Sequence, residues 1–129
     1  MADFGIRKTT QLGFDEVLQK LPGLLKAEGF GILTEIDVKG TLKQKLGVDF
    51  RRYRILGACN PPLAYRALQA ELEVGVMLPC NLIVYEGDGG QAVVTAIDPM
   101  QTVAGASDGL VPIAQEVRDR LERVLEKLG

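Results

Sequence analysis

Histidine and tryptophan are both missing from this 129-residue chain, and only two cysteines are present. Without imidazole there is no Ser-His-Asp or Cys-His machinery, no histidine general base at neutral pH and no histidine metal ligand. Two thiols cannot close a tetrahedral thiolate zinc site within one chain. Carboxylates or a second subunit could complete one, but the sequence has a motif for neither. It therefore implies no cofactor and no resident metal, and it leans away from an enzyme. Aromatic residues make up 5% of the chain, so the core must be aliphatic. No run approaches the eighteen or so uninterrupted apolar residues of a membrane helix. The start, Met1-Ala2-Asp3-Phe4-Gly5-Ile6-Arg7-Lys8, has no apolar stretch to serve as a signal peptide. The expectation is a cytoplasmic protein with no membrane partner and with both cysteines reduced. A net charge of −2 gives no general reason to expect nucleic acid as a partner.

What is there reads as one domain, residues 1–129, of ordinary globular composition, 47% hydrophobic and 25% charged. Gly5 to Leu12 alternate weakly, as a strand does. Phe14, Val17, Leu18, Leu21, Leu24 and Leu25 recur at spacings of three and four, the mark of an amphipathic helix. Asp15 and Glu16 suit its positive end, Pro22-Gly23 should bend or briefly break it, and Gly29 stops it. Phe30 to Asp37 reads as a second strand with Phe30, Ile32 and Ile36 on one face. Val38, Leu42 and Leu46 suggest a short helix before Gly47. Tyr53 to Cys59 reads as a strand whose end is buried on both faces.

Asn60-Pro61-Pro62 opens the next helix, with asparagine as N-cap and proline in the first turn. Its buried stripe is Leu63, Ala64, Ala67, Leu68 and Leu72, and Gly75 ends it. Val76 to Tyr85 reads as a long strand that Pro79 must bulge or push to an edge. Glu86 to Gly90 turns a hairpin into Ala92 to Ile97. After a looser stretch, Pro99 to Gly109, the residues Leu110, Ile113, Ala114, Val117, Leu121, Val124, Leu125 and Leu128 mark the last helix. Ser107 or Asp108 caps it, and the pairs Glu116/Arg120 and Asp119/Arg123 brace its wet face. The order predicts an α+β fold, a mixed, largely antiparallel sheet of about five strands with helices packed on one face. An open sheet face or strand edge would need covering, and self-association is the simplest cover.

Cys59 stands just before the Asn60 N-cap, where unpaired amides and the helix dipole stabilise an anion, so its thiol can be more acidic than a free one. That suits a nucleophile, a redox sensor or a soft-metal ligand. The plain alternative, favoured by the lack of a nearby base or Cys-x-x-Cys partner, is a small hydrophobe closing a buried strand. Cys80, beside Pro79, lies near the start of another strand. If the two strands run parallel the sulfurs sit at opposite ends and cannot bond, because a disulfide needs Cα atoms within about 7 Å; close approach would require Cys80 to lie well inside its strand. Lys39, Lys43, Lys45, Arg51, Arg52 and Arg54 face a single acid, Asp49, between residues 39 and 54. Arg52 and Arg54 share a strand face and could hold a phosphate or an acidic partner, although such runs are more often a solvated face. Glu35 and Asp37 also share a face, as a carboxylate pair or a polar strand end. Gly87 to Gly90 is no phosphate loop, since a strand and not a helix follows it.

Several of these segments together resemble the domain-of-unknown-function 302 family. They are Tyr53-Arg54-Ile55-Leu56-Gly57-Ala58-Cys59-Asn60-Pro61 with Ala64, Gly75-Val76-Met77-Leu78-Pro79-Cys80-Asn81 leading into Val84-Tyr85-Glu86, Gly29-Phe30 with Thr34-Glu35-Ile36-Asp37-Val38, and Ile97-Asp98-Pro99. The resemblance implies a small α+β domain, a stand-alone bacterial or archaeal protein and a dimer; it brings no reaction, substrate or catalytic residue. The first functional expectation is a non-enzymatic homodimeric module that binds a small ligand or partner at the Cys59-Asn60-Pro61 helix start, with Cys80 and Asn81 beside it. The alternative is a thiol-based redox or soft-metal-binding protein using Cys59 and Cys80. A third, weaker option is anion or nucleic-acid binding by the Lys39–Arg54 patch, with Arg52 and Arg54 as the anion ligands.

Overall fold

Five strands form one sheet in the order Gly5–Thr9, Ala92–Ile97, Cys80–Glu86, Tyr53–Cys59 and Gly31–Asp37, and every pairing is antiparallel. The computed structural model describes residues 4–104 and 106–129. The elements are β1 (Gly5–Thr9), α1 (Phe14–Ala27), β2 (Gly31–Asp37), α2 (Val38–Leu46), β3 (Tyr53–Cys59) and α3 (Pro61–Ala70). A 3-10 segment (Leu72–Met77), β4 (Cys80–Glu86), β5 (Ala92–Ile97), a short 3-10 turn (Asp108–Leu110) and α4 (Val111–Glu126) complete the chain. The fold is α+β, and the mixing of strand directions allowed for by the sequence does not occur. The excursions through α2 and α3 each leave and re-enter the sheet at the same end.

Strand alternation sorts the sheet into two faces. Leu56 and Ala58 of β3, Cys80, Leu82 and Val84 of β4, and Ala92, Val94 and Ala96 of β5 are buried on one of them. Against this face pack Val17, Leu21 and Leu25 of α1, Leu63 and Ala67 of α3, and Val117, Leu121 and Val124 of α4, all in one hydrophobic cluster. The opposite face carries Ile36, Ile55, Ile83 and Thr95 in register across four strands, with Tyr53 stacked on Tyr85 at a ring separation of 5.6 Å.

Several local expectations change. Helix α1 runs through Pro22-Gly23 unbroken, because Leu21 and Leu25 anchor it in the core on both sides of the missing amide. Gly29 does end it, at φ +87°. Ile36 does not share a face with Ile32: a bulge between Ile32 and Thr34 shifts the register, so Ile32 pairs with Ala58 on the helix side and Ile36 with Ile55 on the other. Helix α3 stops at Ala70, where extended Glu71 breaks the stripe, and Leu72 is left 81% exposed. Val76 to Pro79 are not strand; β4 starts at Cys80, directly after the cis Leu78-Pro79 bond, since proline has no amide for the ladder. The Ser107 hydroxyl caps only the short 3-10 turn. Arg120 pairs with Glu116 as expected, but Arg123 reaches Glu28 instead of Asp119, which takes the Gln115 amide. Among the described residues no helix is long and apolar enough to cross a membrane.

Candidate functional site

The corner where β3 hands over to α3 is held by one side chain. Asn60 is buried; its Oδ1 accepts from the Leu63 amide at 3.3 Å, and its Nδ2 donates to the Glu28 carbonyl at 3.2 Å. The first bond is the N-cap that the sequence predicts. The second ties the start of α3 to the end of α1, where Arg120 Nη1 donates to the same carbonyl at 2.8 Å. A Cβ on Gly29 would stand 2.8 Å from Asn60 Nδ2, so the glycine is required by this approach as well as by its positive φ. With both polar ends engaged, Asn60 is a brace.

Behind this corner lies a cavity between the end of β3, the start of β4, α3, α4 and the segment after β5. Cys59, Asn60 and Cys80 line it together with Leu63, Val74, Val103 and Val117. The space open to the centre of a water molecule is about 40 Å³, room for only a few waters or a small apolar group. Among the described residues no charged one lines the cavity. Its polar side chains are the two thiols and Asn60, which already donates one hydrogen bond and accepts another.

Antiparallel pairing brings the two cysteines to the same corner of the sheet. Ala58 and Cys80 are direct partners, so Cys80, although the first residue of β4, stands beside the end of β3 and next to Cys59. The condition that Cys80 lie deep in its strand applies only to parallel strands. Both thiols are free. Burial raises the Cys59 thiol above its ordinary value, so the acidifying effect expected at the helix start is outweighed. Burial, and secondarily the charge of Cys59, pushes Cys80 up to about 11. Both are protonated at neutral pH.

Other candidates lie elsewhere. Asn81 pairs with Gly57 and is exposed, turned away from the cavity face to which Cys80 belongs. Pro61 is exposed in the first turn of α3 and does not line the cavity. Arg52 is engaged by Asp15 and Glu86, both at 2.9 Å, and its guanidinium lies over the Phe14 ring. Arg54 contacts Glu35 and lies 3.8 Å from Asp37. Neither arginine is free for an anion, and Glu35 and Asp37 form the polar strand end around Arg54. Lys43 pairs with Asp49, Arg51 with Asp88, and Lys39 donates to the Phe50 carbonyl. Among the described residues no group of three or more His, Cys, Asp or Glu is placed to hold a metal ion.

Sequence reasoning missed the far wall. Val103 is buried in an irregular stretch whose sequence carries no period to reveal it, and Val74 is buried within the 3-10 segment. Ile113 and Val117, four apart on α4, read equally well as core.

The family model described as "Domain of unknown function DUF302" matches residues 6–128. The crystal structure of an uncharacterized conserved DUF302 protein from Bacillus stearothermophilus is similar, with 34% identity, a TM-score of 0.90, and coverage of 99% of this chain and 100% of that one. No curated protein matches the sequence. With the match running from β1 to the last turn of the chain and a solved member sharing its fold throughout, the chain belongs to the DUF302 family.

Proposed function

We propose that this protein is a non-enzymatic binding module, a cytoplasmic homodimer, whose cavity at the Cys59-Asn60 corner takes a small uncharged apolar ligand or the apolar end of a larger one. The observation that carries the reading is the character of that cavity: its wall is apolar, no charged side chain among the described residues lines it, and both ends of the Asn60 amide are already hydrogen-bonded. A charged or strongly polar ligand would lose its hydration there with nothing in return, whereas an apolar one gains by burial. The half-exposed Ile36, Ile55, Ile83, Tyr53 and Tyr85 on the other sheet face support self-association. Methyl NMR of the intact protein under xenon pressure, and in titration with benzene, tests the ligand reading. Leu63, Val74, Val103 and Val117 methyls should shift in a saturable way. Unmoved methyls at these four positions would refute it.

A second reading, thiol chemistry or soft-metal binding, is favoured by the shared placement of Cys59 and Cys80. It is opposed by their protonation at neutral pH, since the thiolate is the reactive and ligating form. Titration with monovalent copper decides: one tightly held ion per chain, lost equally in Cys59→Ser and Cys80→Ser, would favour it over simple apolar binding.

A further inference from the structure

From Gly31 to Phe50 the chain is ordered into β2, α2 and a connecting loop, yet not one of these residues is buried. Leu33, Ile36, Leu46, Val48 and Phe50 are all exposed, Leu46 to 68%. Ordering backbone loses entropy that burial normally offsets. A nine-residue helix is too short to hold itself in water, and α2 contains Val38, Gly40 and Thr41, all poor helix formers. It is nonetheless capped at both ends: Asp37 accepts from the Gly40 amide, and Gly47 closes it in the left-handed conformation. Its contact with β2 and β3 leaves Val38 and Leu42 half-buried and no residue buried, so its outer face is left to be covered from outside.

A second segment of the same chain has the complementary character. On the 3-10 segment, Val74 faces the cavity while Leu72 and Val76 are 81% and 87% exposed, with Met77 beside them. This segment and its N-cap carry Glu71 and Glu73 and no base; α2 and its N-cap carry Lys39, Lys43 and Lys45 against Asp37. Glu71, Glu73 and Lys45 form no ion pair among the described residues. The two patches stand at opposite ends of β3: α2 and its loop lead into Tyr53, and the 3-10 segment leads into Cys80 beside Cys59. Seven residues of strand, roughly 23 Å, separate them. One chain cannot bring them together. A second copy running antiparallel beside the first can, and a two-fold axis then makes each contact twice.

We infer that residues 31–50 are a self-association surface that docks α2 and the apolar loop after it onto Leu72–Met77 of a second copy. This rests on the homodimer reading above and specifies its interface. The docked segment is the outer wall of the cavity, so association would steady the wall that Val74 presents inward.

Sedimentation velocity of the full chain over the micromolar range tests the inference, with circular dichroism as a check on folding. The wild type should dimerise. K43E/K45E and E71K/E73K should each weaken the dimer by about tenfold or more at low salt, and the four changes combined should restore it to within about threefold. L72S/V76S, which leaves charge untouched, should weaken it as well. A monomeric wild type overturns both this inference and the homodimer reading. A dimer indifferent to these substitutions overturns this inference alone, and charge reversals that weaken without rescuing each other overturn the pairing of α2 with Leu72–Met77.

Discussion

β4 and β2 are both seven-residue strands of one sheet, and both contain isoleucine and leucine. In β4, Cys80, Leu82 and Val84 are sealed beneath the helices; in β2 no residue is buried. Helix supply explains the difference. A packed helix is about 10 Å across and strands repeat at about 4.8 Å, so each long helix covers roughly two strands. Of the two long helices, α1 (14 residues) packs on β4 and only reaches β2, and α4 (16 residues) packs on α1 and β1, with α3 closing the end of β3. That leaves β2 a single partly packed residue on the helix side, Ile32. Burial in this molecule follows from position in the strand order more than from how apolar a strand is.

The largest break in that contrast comes from the sealed side. Leu121 is fully buried between sheet and helices, so Leu121→Ala should lose about 2–5 kcal/mol in denaturant unfolding. A loss under half a kcal/mol would mean that α4 is not seated as described. Next comes an alkaline limb. Cys80 ordinarily ionises at 9.0 and is pushed up to about 11 in the fold, so the folded state holds its proton more tightly than the unfolded one. Stability from this group is complete below pH 9 and lost as pH rises through about 11, a fall of about 2–3 kcal/mol. Cys80→Ala should flatten that limb; an unchanged limb would place the cause elsewhere, for instance in Tyr53, which burial also raises.

The junction between the two regions should respond less. Asn60→Ala removes the α3 cap and the donor to Glu28, for about 1–2 kcal/mol. Asn60→Ser keeps a cap acceptor, adds no charge and is too short to replace the donor to Glu28. Equal losses in the two variants would show that the tie to α1, and not the cap, is what matters at this corner.

The sealed half was also the legible half. Period 3.6 in α1 and α4 is a local signal, and in each it matches a buried stripe. The N-cap role of Asn60 was readable for the same reason. What failed was long-range or irregular. The bulge at Leu33 flips Ile36 to the other face, Glu71 ends the α3 stripe one residue before Leu72, and Pro79 delays β4 to Cys80. None of these has a periodic signature. The meeting of Cys59 with Cys80 depended on strand direction, which composition does not encode, and the Arg52 and Arg54 partners come from α1, β2 and β4, remote in sequence.

The smallest expected effect tests the uncovered half. Leu46 is the last residue of α2 and lies against solvent, so Leu46→Ala should change the stability of the isolated monomer by less than about 0.5 kcal/mol. If residues 31–50 are covered by a second copy, the same variant should lower the unfolding midpoint at high protein concentration and approach wild type on dilution, because association stabilises the fold by mass action. Denaturant midpoints for both proteins, taken across a hundredfold or so in concentration, separate the outcomes. A loss of 1 kcal/mol or more that is independent of concentration would mean that α2 packs within its own chain. The contrast between β4 and β2 would then be one of degree.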